Sequence, residues 1–188
     1  MISAKRATSI SFVALSAAIS MVMLGFTKPT TQQHAVPQTS IVETVTKKGA
    51  GKAPDFTFKV NGKSTTFAEI SQGKPVLLNF WATWCGPCRR EIPDLIALSK
   101  ELSGKAVVLG VALDQGDDRV NMVKSSIERF GITYPNVIDN LDWKLAEAYG
   151  NIPSVPTTFI IDKNGTIIQK IVGAQKKEVF AAALAKAL

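Results

Sequence analysis

Cysteine and histidine are nearly absent from this sequence. Its 188 residues hold two cysteines and one histidine. That scarcity argues against a four-coordinate zinc site, since Cys85 and Cys88 supply half of one and His34 lies alone in a polar stretch. No cysteine precedes Cys85, so an N-terminal lipid-modified cysteine is excluded. There is no basic run interleaved with aromatics, and charges of both signs are scattered. Nucleic acid is therefore a poor partner despite a formal charge of +7. The excess of Lys and Arg suits an anionic membrane surface or an acidic partner instead. No internal repeat is present.

What the chain does have begins with an apolar N-terminus. Residues 1–26 open on Lys5 and Arg6, contain no acid, and run apolar from Thr8 to Phe26. As a helix, residues 8–26 would span about 28 Å, close to the thickness of a bilayer's hydrocarbon core. The segment reads as an uncleaved anchor in a bacterial inner membrane. The alternative is a cleaved signal, for which Ser16-Ala17-Ala18 offers a small-x-small pattern. Under both readings Lys5 and Arg6 stay cytoplasmic and the remainder is exported to the periplasm. Residues 27–52 are polar and broken by Pro and Gly, which predicts a flexible tether ahead of a folded domain at 53–188.

Within that domain, Phe56, Phe58 and Val60 alternate with polar residues up to a turn at Asn61-Gly62, and Lys63 to Phe67 returns as the second strand of a hairpin. Val76 to Trp81 is apolar but for Asn79, as in a strand covered on both faces. Arg89 to Leu102 is predicted as a helix with Ile92, Leu95, Ile96 and Leu98 on its inward stripe. Val107 to Leu113 is a second buried strand. A helix marked by Val120, Val123, Ile127 and Phe130 follows, then a short helix over Trp143–Tyr149. A hairpin (Thr158–Ile161, Thr166–Val172) and a helix over Lys176–Leu188 close the chain. This order predicts an α/β fold, a mixed sheet between helices with a central βαβ unit.

The chemistry concentrates at Trp84-Cys85-Gly86-Pro87-Cys88, between the Val76–Trp81 strand and the helix. A helix start leaves N–H groups unpaired and carries partial positive charge, and both stabilise a thiolate. Cys85 is then the attacking sulfur and Cys88, one turn on, the resolving one. Pro87 suits a first turn, where a missing N–H costs little. Arg89 and Arg90 either add positive charge to the site or are simply solvated. Such a pair needs no cofactor and no metal. A purely structural disulfide is the bland alternative, but a bridge spanning three residues closes a tiny loop and stabilises little. A second segment, Ile152-Pro153-Ser154-Val155-Pro156-Thr157-Thr158, leads straight into a strand. A proline there is by itself an ordinary loop residue, since few X–Pro bonds are cis.

Together these residues resemble the two active-site segments of thioredoxin-fold proteins. More narrowly, Ala53-Pro54-Asp55-Phe56, Leu78-Asn79-Phe80-Trp81-Ala82-Thr83-Trp84-Cys85, Arg89-Arg90-Glu91-Ile92-Pro93 and Pro156-Thr157-Thr158-Phe159-Ile160-Ile161-Asp162 resemble the TlpA/ResA group of exported, often membrane-anchored thiol–disulfide oxidoreductases. The resemblance covers residues 53–188 and implies a thioredoxin fold with an N-terminal β-hairpin and a central insertion over about Val120–Tyr134. It implies that Cys85 and Cys88 are catalytic, supported by Trp84, Gly86, Pro87, Val155 and Pro156. Pro156 would be cis and face the cysteines, with Val155 backbone groups pairing to an extended substrate. The implied partners are a disulfide-containing protein, of cytochrome c maturation or a metallochaperone, and a membrane-bound electron donor. Gly86-Pro87 is the dipeptide of reducing thioredoxins, which suggests a dithiol reductant. Asn79 stands where thioredoxin itself has a buried Asp that takes a proton from the inner cysteine. Asn cannot do so, and water or another carboxylate must; Asp114, Asp117 and Asp118 are candidates and none is assigned. Two rivals stand. One is a thiol peroxidase of peroxiredoxin type, although Ala82-Thr83-Trp84-Cys85 lacks the Thr-x-x-Cys setting. The other is a non-catalytic binding module with an inert disulfide.

Overall fold

Residues 39–188 are described by the structure, a computed structural model. The order is β1 (Ser40–Thr46), β2 (Asp55–Val60), β3 (Lys63–Thr66), α1 (Phe67–Ser71), β4 (Val76–Trp81), α2 (Gly86–Glu101) and β5 (Val107–Ala112), then α3 (Arg119–Phe130), β6 (Asn136–Ile138), α4 (Lys144–Ala148), β7 (Thr157–Ile161), β8 (Ile167–Val172) and α5 (Lys177–Ala185). The strands form one sheet in the order β3-β2-β1-β6-β5-β4-β7-β8. Strands β4, β5, β6 and β1 run parallel, and β7 is antiparallel to β4. This mixed sheet between helices is a thioredoxin fold.

The centre is β4, buried at all six positions. Alternation sends its side chains into two different cores. Leu77 and Trp81 pack with Ile92, Leu95 and Leu98 of α2, Val123 and Ile127 of α3, and Phe180 and Leu184 of α5. Val76, Leu78 and Phe80 pack on the other face with Phe56, Phe58, Phe67, Leu145, Tyr149 and Phe159. Helices thus cover both faces, as a continuously apolar parallel strand requires.

Two strands depart from the sequence reading. Residues 40–46, assigned to the tether, form β1, so the folded part begins ahead of residue 53. Its β-branched residues lie between β2 and β6, which pair both of its edges, and Val42 is buried in the core. The second, β6, is only three residues long and extends the inserted α3 segment past Tyr134. Helix α1 is also additional. It starts on a capping box in which Thr66 Oγ1 accepts from Glu69 N and the Glu69 carboxylate accepts from Thr66 N.

The strand ends set up the site. Trp81, Ala112 and Ile138 are level with one another, and β7 begins beside them with Thr157 opposite Phe80. The loops after β4, β5 and β6 therefore leave the sheet along one edge, where the chain also enters β7. In open α/β sheets this carboxyl-terminal edge is the usual place for a binding crevice. Among the described residues no helix is long and apolar enough to cross a membrane. The anchor read at 8–26, and His34, lie outside the described residues.

Candidate active site

Four residues, Ala82 to Cys85, join β4 to α2, and their path is pinned by a carboxylate. Asp114, buried in the loop after β5, accepts from Thr83 N at 3.1 Å and from Thr83 Oγ1. Cys85 N donates to Ala82 O at 3.1 Å, which closes the turn. Cys85 is then the N-cap of α2, with extended backbone (φ −79, ψ 106). Its Sγ takes the role that a serine or aspartate oxygen plays at other helix starts, accepting from Cys88 N at 3.1 Å. Gly86 and Pro87 occupy the first turn, where proline's missing donor costs no helical hydrogen bond.

Cys85 and Cys88 are joined in a disulfide with their Cα atoms 5.3 Å apart. Their exposures differ: Cys85 is 3% exposed, Cys88 not at all. Trp84, beside them, is 65% exposed. The second segment arrives from the entry to β7. The Val155–Pro156 bond is cis, and Val155 O lies 3.5 Å from Cys85 Sγ. Thr157 Oγ1 donates to Ser154 O at 2.8 Å, holding this loop against the strand start. Two segments far apart in the sequence thus meet at one sulfur. Arg89 and Arg90 are both exposed, and Arg89 reaches only the Thr83 carbonyl, at 3.5 Å.

Beneath the pair lies a group that the sequence reading did not single out. Glu91, three residues after Cys88 on the same face of α2, is 2% exposed. Its Oε1 accepts from Asn79 Nδ2 at 2.8 Å and its Oε2 from Gln175 N at 3.2 Å. The same Asn79 nitrogen donates to Thr158 Oγ1 at 3.0 Å. Burial pushes the Glu91 carboxyl up to about 7, against the opposing pull of the Asn79 and Gln175 hydrogen bonds, and Asp94 adds a little repulsion. It can therefore hold or release a proton near neutrality. Buried Tyr134 is displaced above its usual range by burial and then by the charge of Glu91.

The candidates considered from the sequence do other work. Asp114 is occupied by Thr83, while Asp117 and Asp118 are exposed, Asp118 accepting from Asn121 Nδ2 at 2.7 Å. A signal for Glu91 existed: it lies four residues before Leu95 and seven before Leu98, on the stripe that packs inward.

Comparison with known proteins places the chain beside thiol–disulfide oxidoreductases. The sequence model of the AhpC/TSA family matches residues 50–170. Thiol-disulfide oxidoreductase ResA of Geobacillus thermodenitrificans is 42% identical over 127 residues, covering 67% of this chain and 70% of that protein. Thioredoxin-like protein YneN of Bacillus subtilis is 35% identical over 144 residues, covering 74% and 83%. Among solved structures, a thiol:disulfide interchange protein of the thioredoxin family from Chlorobium tepidum superposes with a TM-score of 0.63 at 33% identity. It covers 74% of this chain and 97% of its own.

Proposed function

Because this chain belongs to the AhpC/TSA family and is within it a ResA-type, thioredoxin-fold thiol–disulfide oxidoreductase, we propose that Cys85 and Cys88 are its redox pair and that it acts outside the cytoplasm as a dithiol reductant. The observation that carries this reading is the placement of Cys85 Sγ, which accepts an N–H at a helix start and faces the Val155 carbonyl beside Pro156.

In the reduced protein, the Cys85 thiolate attacks one sulfur of a partner disulfide. A mixed disulfide forms and the partner's other sulfur leaves as a thiolate. Cys88 then gives up its proton and attacks Cys85, forming the Cys85–Cys88 bond and releasing the partner's second thiol. Two electrons pass to the partner, which also takes up two protons. Glu91, one turn below Cys88, receives the proton from Cys88 when the carboxyl is ionised. Asn79 cannot accept a proton but aims the Glu91 carboxylate. Val155 backbone groups hold the partner extended, exposed Trp84 offers it an apolar contact next to Cys85, and Gly86 and Pro87 shape the helix start. A membrane-bound donor restores the dithiol. Residues 8–26 anchor the chain, and the proposed partner is a disulfide protein of cytochrome c maturation or a metallochaperone.

Replacing Cys88 with alanine leaves the attacking sulfur without its resolving partner. Mixed disulfides should then accumulate on Cys85 and appear as slower bands on a non-reducing gel, lost on reduction. Absence of any trapped partner would overturn the proposal. Consumption of peroxide by the purified protein at a rate exceeding its disulfide reduction would favour the peroxidase reading.

A further inference from the structure

The carboxyl-terminal edge of the sheet carries more than the cysteine pair. The loops after β4, β5 and β6 leave it side by side, stitched by Leu113 N to Trp81 O and Asp139 N to Ala112 O, both 2.9 Å. Of the three tryptophans, Trp81 is buried, while the other two stand on this edge. Trp84 is 65% exposed and Trp143 51%, with Leu141 at 52% beside Trp143. The ends of β4 and β6, from which these loops leave, are two strand spacings apart, roughly 10 Å.

The Leu141–Trp143 loop is built to stay in place. Asp139, fully buried, accepts from Asn140 N, Leu145 N and Ala146 N at 2.8 to 3.1 Å and fixes both ends of the loop. Trp143 has a left-handed backbone (φ 51), a conformation bulky residues rarely adopt. Backbone held in such regions concentrates at sites of function. With its amide turned to suit, Gln115 of the β5 loop donates to Leu141 O at 3.2 Å and accepts from Trp143 Nε1. The indole is thus latched to the neighbouring loop while much of its surface faces solvent. Asp142 and Lys144 flank it and pair with each other at 3.6 Å. The flanking charges offset one another, so apolar area is what the patch presents.

Resting on the redox reading above, we propose that Leu141 and Trp143 are a second docking point for the polypeptide whose disulfide is reduced, taking an apolar or aromatic side chain three or four residues from its cysteine. The occupant follows from the reaction. A partner joined to Cys85 and held by Val155 on the β7 side reaches the Leu141–Trp143 loop by extending to the β6 side, and three or four extended residues cover about 10 to 13 Å. Anchors of this kind are most often aromatic, and truncating one typically carries much of the contact's worth.

The test uses the full-length reduced protein and three disulfides: oxidised glutathione, a disulfide-linked peptide bearing Leu or Trp four residues from its cysteine, and the same peptide with Ser there. The variant is L141S combined with W143N, asparagine being tolerant of the left-handed backbone. Wild type should reduce the apolar peptide faster than the Ser peptide. The variant should lose about tenfold in second-order rate on the apolar peptide and treat the two peptides alike, with glutathione unchanged. An equal loss on glutathione would mean a disturbed cysteine loop, and an undiminished rate on the apolar peptide an idle patch; each overturns the proposal. So would a concentration-dependent dimer that only the variant lacks, since the patch would then belong to a second copy. Failure of the redox reading itself looks different, because Cys85→Ser would then reduce all three disulfides as wild type does.

Discussion

The two faces of β4 are made for different purposes. On one, Phe80 contacts Tyr149 and Phe159 with ring centroids 5.4 and 5.8 Å away, inside a core that also holds Phe56, Phe58 and Phe67. On the other, Asn79 stands between Leu77 and Trp81 and ties Glu91 to Thr158. The first face is apolar and close-packed. The second keeps a carboxyl buried with two hydrogen bonds and the cysteine pair above it. The contrast teaches that both faces carry an apolar core but only one carries the chemistry, so perturbing the Phe80 face should leave the redox signature intact.

The largest effect expected is on stability. Phe80→Ala removes a fully buried ring and should cost about 3–5 kcal/mol in denaturant unfolding, through lost burial and the cavity left behind. The redox potential of the folded variant should be unchanged; a marked shift would break the division. Glu91→Gln tests the opposite face. It should slow partner reduction by about a hundredfold and remove the inflection near pH 7 from the rate profile. Its effect on stability has a definite sign. The Glu91 carboxyl titrates higher in the folded than in the unfolded chain, so the folded state binds more protons. Stability is therefore greatest below the unfolded value and falls as pH rises towards 7, by about 3 kcal/mol in all. Unfolding midpoints of Glu91→Gln should be flatter between pH 5 and 8.

A smaller effect tests the same face one strand over, where Gly110 lies opposite Asn79. A Cβ added at Gly110 would meet Asn136 Oδ1 at 2.0 Å and Trp81 Nε1 at 3.1 Å. Those two atoms are hydrogen-bonded at 2.9 Å, tying the inserted β6 to β4. Gly110→Ala should cost about 1–3 kcal/mol and disturb Trp81 fluorescence. The double variant with Asn136→Ala should recover part of the loss.

Much of this arrangement is legible in the sequence. A six-residue run that is apolar but for Asn79 suits a strand covered on both faces, so β4 was visible, as were β5 and the helix start at the cysteines. β1 was not, because Ser40–Thr46 lies in a polar stretch and little of it is buried; it is a strand because β2 and β6 flank it. β6 is too short to carry a period of its own. Glu91 escaped because a charged side chain beside two arginines reads as solvated. Its place on the Leu95 and Leu98 stripe was the one hint of an inward position, and the packing of α2 onto β4 aims it at Asn79. The patch at Leu141 and Trp143 needed the register of three loops, which no local pattern contains.

The central claim, that Cys85 is the attacking sulfur of a redox pair, is tested most directly by insulin reduction with dithiothreitol as electron source. Wild type should accelerate precipitation of the reduced insulin chains, and Cys85→Ser should fall to the uncatalysed rate. Acceleration that survives Cys85→Ser would contradict the account.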